Sequence, residues 1–187
     1  MAGEQGGASP LTYTAVQAEE GLADWRMMFQ TLETRYDTGS FATGLGLVSA
    51  IGAVAAELDH HPELDLRAAT VHVRLISRDV FGVTRRDLDL ARRISAVADD
   101  LGIDADPAAV EVVELALDTA DRAEIKPFWR AVLGYEDHPL HDGEVRDLQG
   151  NGPALWFQRT DAHDPAFTVL ADPQGNKVCV TTGVGRD

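Results

Sequence analysis

The 187-residue chain is short of cysteine and of positive charge. Cys179 is its one cysteine, so no disulfide can close within the chain, and zinc sites built from several cysteines are excluded. Lys and Arg number 16 against 31 Asp and Glu, a net charge of −15. Nucleic acid is therefore not expected as a partner, because phosphate backbones are held by clustered Lys and Arg. An anionic membrane surface is disfavoured for the same reason. No apolar run is expected to reach the ~18 residues of a membrane span. The start, "MAGEQGGASP", has neither the basic nor the apolar region of a secretory signal. The expectation is a soluble, cytoplasmic protein without a membrane.

What is present is apolar substance: 44% of residues, enough for a packed core. The length suits one large domain or two small ones. Residues 1–19 are rich in Gly, Ser and Gln and read as a loose arm. "WRMMFQTLETRY" suits a strand or strand pair. "FATGLGLVSAIGAVAAEL" recurs at helical spacing through Phe41, Leu45, Val48, Ile51 or Gly52, and Ala55. Gly44, Gly46 and Gly52 each cost that helix about 1 kcal/mol against Ala, with close packing as the expected compensation. Pro62 stands at or just past its end. "ATVHVRLI" alternates, Val71, Val73 and Leu75 against His72, Arg74 and Ile76, as in a strand with one buried face. Gly82 marks a turn. Thr84 and Asp87 form a capping box for a helix to about Asp100, with Leu88, Ala91, Ile94 and Val97 or Ala98 inward.

His60-His61-Pro62 falls where the first helix hands over to the strand. Imidazole gives or takes a proton near neutral pH, and two together can do both. A histidine at such a junction is otherwise a capping or surface group. A metal is not expected: adjacent residues in an extended segment point opposite ways, and no third ligand is evident.

The small-residue helix running into "ELDHHPE", the strand "TVHVRLIS" and then "GVTRRDLDLA" resemble the pterin-4a-carbinolamine dehydratase family. The resemblance covers residues 20–104 as a domain. Trp25 in "GLADWR" and Phe41 in "GSFATG" also fall at positions where that family places such residues. It implies an α+β fold, an antiparallel sheet with helices on one face. It implies a substrate, a 4a-hydroxytetrahydropterin, that loses its C4a hydroxyl as water and a proton from N5. No metal or organic cofactor is implied, because acid and base groups suffice. The family's histidine pair falls on His60 and His61 and its acidic residue on Asp87, which is also placed to cap its helix. Glu57 and Trp25 are expected at the substrate. Two positions depart from the family. Its third histidine falls on Arg78, which stays protonated and cannot be a neutral base but can hold a carbonyl or developing charge. Its aromatic after Pro62 falls on Ala68. His72 reads as structural.

Residues 109–187 hold "VELALDTAD", "FWRAVLGYE", "GPALWFQR" and "VLADPQGNKVCV", which resemble the glyoxalase (vicinal oxygen chelate) superfamily in a truncated form. The expected order is βαβββ, the strands being "VEVVELALD", "PALWFQRT", "AFTVLAD" and "KVCVTT", with the last two joined by "PQGN". That superfamily's metal-ligand positions fall on Glu114 and Cys179, so no metal is expected. His138, His141 and His163 offer themselves on paper, but His138 and His141 lie in a Pro/Gly/Asp-rich loop and read as exposed. Trp129, Trp156, Phe128 and Phe157 read as core. One module can complete itself against a copy, so a homo-oligomer, a dimer or tetramer, is expected. Besides the dehydratase, two functions remain open: a non-catalytic pterin-binding, oligomerisation or partner-binding module, and acid/base catalysis on another small molecule, with Arg78 holding a carboxylate or enolate.

Overall fold

The computed structural model describes residues 9–159, 168–171, 173 and 177–180. The chain divides between Val110 and Glu111 into two compact units. His163 and the side chain of Cys179 lie outside the described residues.

The first unit contains α1 (Tyr13–Gln17), β1 (Arg26–Met28), β2 (Thr31–Asp37), α2 (Phe41–Leu58), β3 (Glu63–Leu66), β4 (Thr70–Leu75) and α3 (Arg85–Asp100). The strands form one antiparallel sheet in the order β1-β2-β4-β3. Register sets its faces: Leu32, Thr34 and Tyr36 lie opposite Leu75, Val73 and Val71. Those apolar side chains share a core with Leu47 and Ile51 of α2 and Leu88 and Ile94 of α3. The architecture is α+β, an antiparallel sheet with helices on one face. The odd-numbered alternates on β2 and their partners on β4, Glu33 with Arg74 and Arg35 with His72, face away from the helices.

Three expectations need correction. The arm is ordered from Pro10: Leu11 N–H bonds Val83 C=O at 2.7 Å, Val16 is buried, and Glu19 pairs with Arg85 and Arg92. α2 buries Gly44, Leu47, Ile51, Val54 and Ala55, whereas Phe41 and Leu45 are more than half exposed. Gly44 is part of that face because a Cβ there would meet Leu66 Cδ1 at 2.6 Å, so the sheet reaches the helix backbone. Gly46 and Gly52 have no such neighbour. Finally, α2 at 18 residues is long and apolar enough to cross a membrane, against the expectation of no such run. One of its faces packs on the sheet as a core helix does.

The second unit contains β5 (Glu114–Asp118), α4 (Arg122–Leu133), β6 (Glu136–Asp137), β7 (Glu144–Arg146) and β8 (Ala154–Gln158), then a hairpin of β9 (Thr168–Ala171) and β10 (Lys177–Val180). Its sheet runs β5-β8-β7-β6, with β5 and β8 parallel. The four-stranded sheet and α4 have the βαβββ order, but through β6 and β7, which come from the segment expected to be loop, while the expected last two strands, β9 and β10, pair with each other in a separate hairpin. Val145, Leu155 and Phe157 form a small core with Ile125 and Trp129 packed on it. Phe128 is exposed, its ring centroid 5.6 Å from that of Trp129 in a T-shaped pair, and Trp156 is half-buried.

His138 is also a correction. It is 4% exposed, not a surface residue. Its Nδ1 accepts the N–H groups of Leu140 and His141, both at 3.0 Å, so the ring is held neutral with its proton on Nε2. Burial, and then the charges of Arg146 and His141, push its pKa down to about 4. The unfolded imidazole takes up a proton near pH 6.5, while the folded one does not until about pH 4. The unfolded state therefore gains protons first, and stability is lost as pH falls through this window. The second unit is expected to lose about 2 kcal/mol between pH 7 and pH 5. Amide exchange at Val145 and Leu155 in the full chain measures this. His138→Asn, which keeps an acceptor but does not titrate, is expected to remove the loss; an unchanged slope would refute the assignment.

Candidate active site at the end of helix α2

Ser40 starts α2, its hydroxyl accepting the Thr43 N–H at 3.1 Å. The helix stops at Asp59, whose backbone is left-handed with φ 48°. Asp tolerates that region better than most residues, because its short side chain bonds locally. The His60 N–H then bonds back to Ala55 C=O at 3.1 Å. The histidine is fixed by how the helix ends rather than by a loop.

α3 supplies the partner. Thr84 is its N-cap and Asp87 its third residue, and both halves of the capping box are present. Asp87 is fully buried. Its Oδ2 accepts the Thr84 N–H and the Ser77 hydroxyl, both at 2.7 Å, and lies 3.1 Å from the Thr84 hydroxyl. Its Oδ1 lies 2.7 Å from His60 Nε2. A carboxylate only accepts, so Nε2 carries the proton of that bond. His60 Nδ1 then has a free lone pair, and it makes no hydrogen bond with the described residues. The ring is 11% exposed. Oδ2 thus serves the cap expected of Asp87 from sequence, and Oδ1 faces His60.

The other expected residues are distributed around this pair. His61 is exposed, with no hydrogen bond to the described residues. Arg78 is exposed and its guanidinium pairs with Glu63, the residue after Pro62. Glu63 also holds Arg74 at 3.0 Å, and Arg74 reaches Glu33 at 3.2 Å. Glu33 in turn bonds His72 at 2.8 Å and the Thr31 hydroxyl at 2.6 Å. Burial pushes the Glu33 carboxyl up, but the bonds from His72 and Thr31 and the Arg74 charge outweigh it, and the net direction is down. His72 is therefore part of a hydrogen-bonded polar ladder on the outer face of the sheet. Asp79 is exposed, and its hydrogen bond to Arg86 is the main cause that lowers its carboxyl. Trp25 lies in the core, its indole N–H donating to Ser95 at 3.0 Å, and does not face the pair. Glu57 pairs with Arg93 on the surface. Ala68 is exposed.

Sequence reasoning did not single out Ser77 or Glu63. Ser77 had no signal beyond following a strand, and Glu63 gained its meaning only from Arg78. Among the described residues no group of three His, Cys, Asp or Glu is arranged to hold a metal.

Residues 9–97 match the family model of pterin 4 alpha carbinolamine dehydratase, and residues 114–166 match that of the glyoxalase-like domain. Two relatives, provisionally named pterin-4-alpha-carbinolamine dehydratases, are each 35% identical over 89 residues. The one from Natronomonas pharaonis matches over 48% of this chain and 96% of its own length, that from Rhodopseudomonas palustris over 46% and 88%. A solved structure described as a transcriptional coactivator/pterin dehydratase from Brucella melitensis is 28% identical, with a TM-score of 0.45, over 48% of this chain and 99% of its own. Another, a pterin dehydratase-like protein described as a RuBisCO assembly factor in the alpha-carboxysome, is 23% identical, with a TM-score of 0.35, over 40% of this chain and 89% of its own. The chain belongs to the pterin-4a-carbinolamine dehydratase family through its first unit, and its second unit matches the glyoxalase-like domain.

The two members of the pair are expected to differ in stability. Asp87→Ala strips an acceptor from three donors, two of them on buried groups, and is expected to cost about 3 kcal/mol in urea unfolding. His60→Ala removes one partly exposed donor and is expected to cost about 1 kcal/mol. Equal costs would show that the cap contributes nothing beyond the histidine contact.

Proposed function

We propose that this member of the pterin-4a-carbinolamine dehydratase family dehydrates a 4a-hydroxytetrahydropterin by histidine acid/base catalysis. The observation that carries the reading is the 2.7 Å bond from His60 Nε2 to a buried carboxylate. That bond fixes one tautomer and turns Nδ1 into the proton acceptor. In this reading His60 Nδ1 takes the proton from N5. His61, exposed and one residue on, gives a proton to the C4a hydroxyl, which departs as water. The C4a–O bond breaks as the C4a–N5 double bond forms, leaving a quinonoid dihydropterin. Net, one water is lost and the two imidazoles exchange protons with solvent afterwards. Arg78 remains a fixed cation and takes no part in proton transfer.

Stopped-flow decay of a freshly generated 4a-hydroxytetrahydropterin tests the reading. The full chain is expected to accelerate decay over buffer. His61→Ala is expected to abolish the acceleration, and His60→Ala or Asp87→Asn to reduce it about 100-fold. A decay rate equal to buffer at micromolar protein would remove the dehydratase.

A second reading is favoured by the Arg78–Glu63 ion pair, which stands where the family has a third proton-transfer group. In it the unit binds a reduced pterin without turning it over. Titration calorimetry with tetrahydropterin separates the two. Heat of binding together with a buffer-like decay rate supports it; absence of heat excludes a pterin site of either kind.

A further inference from the structure

We propose that Ser77 is a positioning residue for the proton-transfer pair: its hydroxyl locks the Asp87 carboxylate so that Oδ1, and no other acceptor, faces His60. The argument begins with proton counting. Ser77 Oγ has one hydrogen, and it goes to Asp87 Oδ2 at 2.7 Å. Thr84 Oγ1 also has one, with Ser77 Oγ at 2.7 Å and Oδ2 at 3.1 Å as its acceptors, while it accepts the Arg86 N–H at 3.3 Å. With the Thr84 N–H also on it, Oδ2 has both lone pairs filled. Oδ1 receives His60 alone.

Without Ser77 the cap would still reach Oδ2 through Thr84, but the carboxylate could turn about its Cβ–Cγ bond. That torsion is broad in a free aspartate. Rotation moves Oδ1 away from the imidazole and frees the ring to place its proton on either nitrogen. Ser77 itself cannot drift. Its N–H bonds Gly82 C=O at 3.0 Å and its C=O accepts from Val80 at 3.2 Å and Gly82 at 3.4 Å, so the turn clamps it. That turn is pressed from outside: a Cβ on Gly82 would lie 2.8 Å from Pro10 Cβ. Ser77 is 1% exposed and so acts only through Asp87.

The kinetic part of this inference rests on the dehydratase reading; the tautomer part does not. In ring ¹⁵N spectra of the full chain, with His60 assigned by its loss in His60→Gln, neutral His60 is expected as the Nε2–H form. Ser77→Ala is expected to yield a mixture of both tautomers. It should also lower kcat about tenfold with little change in KM, and displace the limb of the pH–rate profile that reports His60. Ser77→Thr, which restores a hydroxyl, is expected to match the wild type in all three. An unchanged His60 tautomer in folded Ser77→Ala would overturn the proposal, as would a Thr variant as impaired as the Ala variant. Should Ser77→Ala not fold, Ser77→Cys keeps the volume with a weak donor and is judged on the same spectrum by the same two outcomes. A wild type without dehydratase activity but with the tautomer shift leaves the positioning role standing and removes only the reaction.

Discussion

The two oxygens of Asp87 organise the first unit. One closes the start of α3 and the other grips the residue that follows the end of α2. A buried carboxylate is costly unless it is fully hydrogen-bonded, and this one is. Because one side chain serves a helix cap and an imidazole, the two helices cannot shift past each other without breaking the bond from His60 to the capping residue. The helix cap and the grip on the imidazole are joined at a single group, so substitutions there cannot separate them without a finer probe than stability.

The same economy appears on the outer face of the sheet. Glu33 is nearly as buried as Asp87, yet it holds an imidazole, a guanidinium and a hydroxyl at once. The ladder continues through Arg74 and Glu63 to Arg78. Arg78 thus belongs to a network that spans three strands and the loop after β4. The cation that replaces a titrating group is tied to the sheet rather than left as an independent side chain in water.

How much of this was readable from the sequence depended on separation along the chain. Thr84 and Asp87 are three apart, and the capping box was legible. Val71, Val73 and Leu75 alternate, so β4 was legible. His60 and Asp87 are 27 residues apart, and only the family resemblance brought them together. The inward face of α2 was misplaced because Gly44 carries no hydrophobic signal, although the sheet touches it most closely. β6 and β7, two and three residues long, are too short for a period to declare itself. The polar neighbours of His138 in the sequence point to exposure. Its burial follows from β6 pairing with β7, through the His138 N–H bond to Glu144 C=O at 3.1 Å.

The left-handed Asp59 has a bearing on how the site behaves in time. Helix ends fray faster and at lower cost than helix centres. His60 hangs from the final turn of α2 by its bond to Ala55, so each excursion of that turn takes the imidazole off its carboxylate. The fraction of molecules in which the imidazole meets its carboxylate is then governed by a local opening equilibrium, set by one helical turn and independent of global unfolding. Warming would thin that population while the core still reads as native, and a ligand spanning His60 and the sheet would replenish it by closing the turn behind itself.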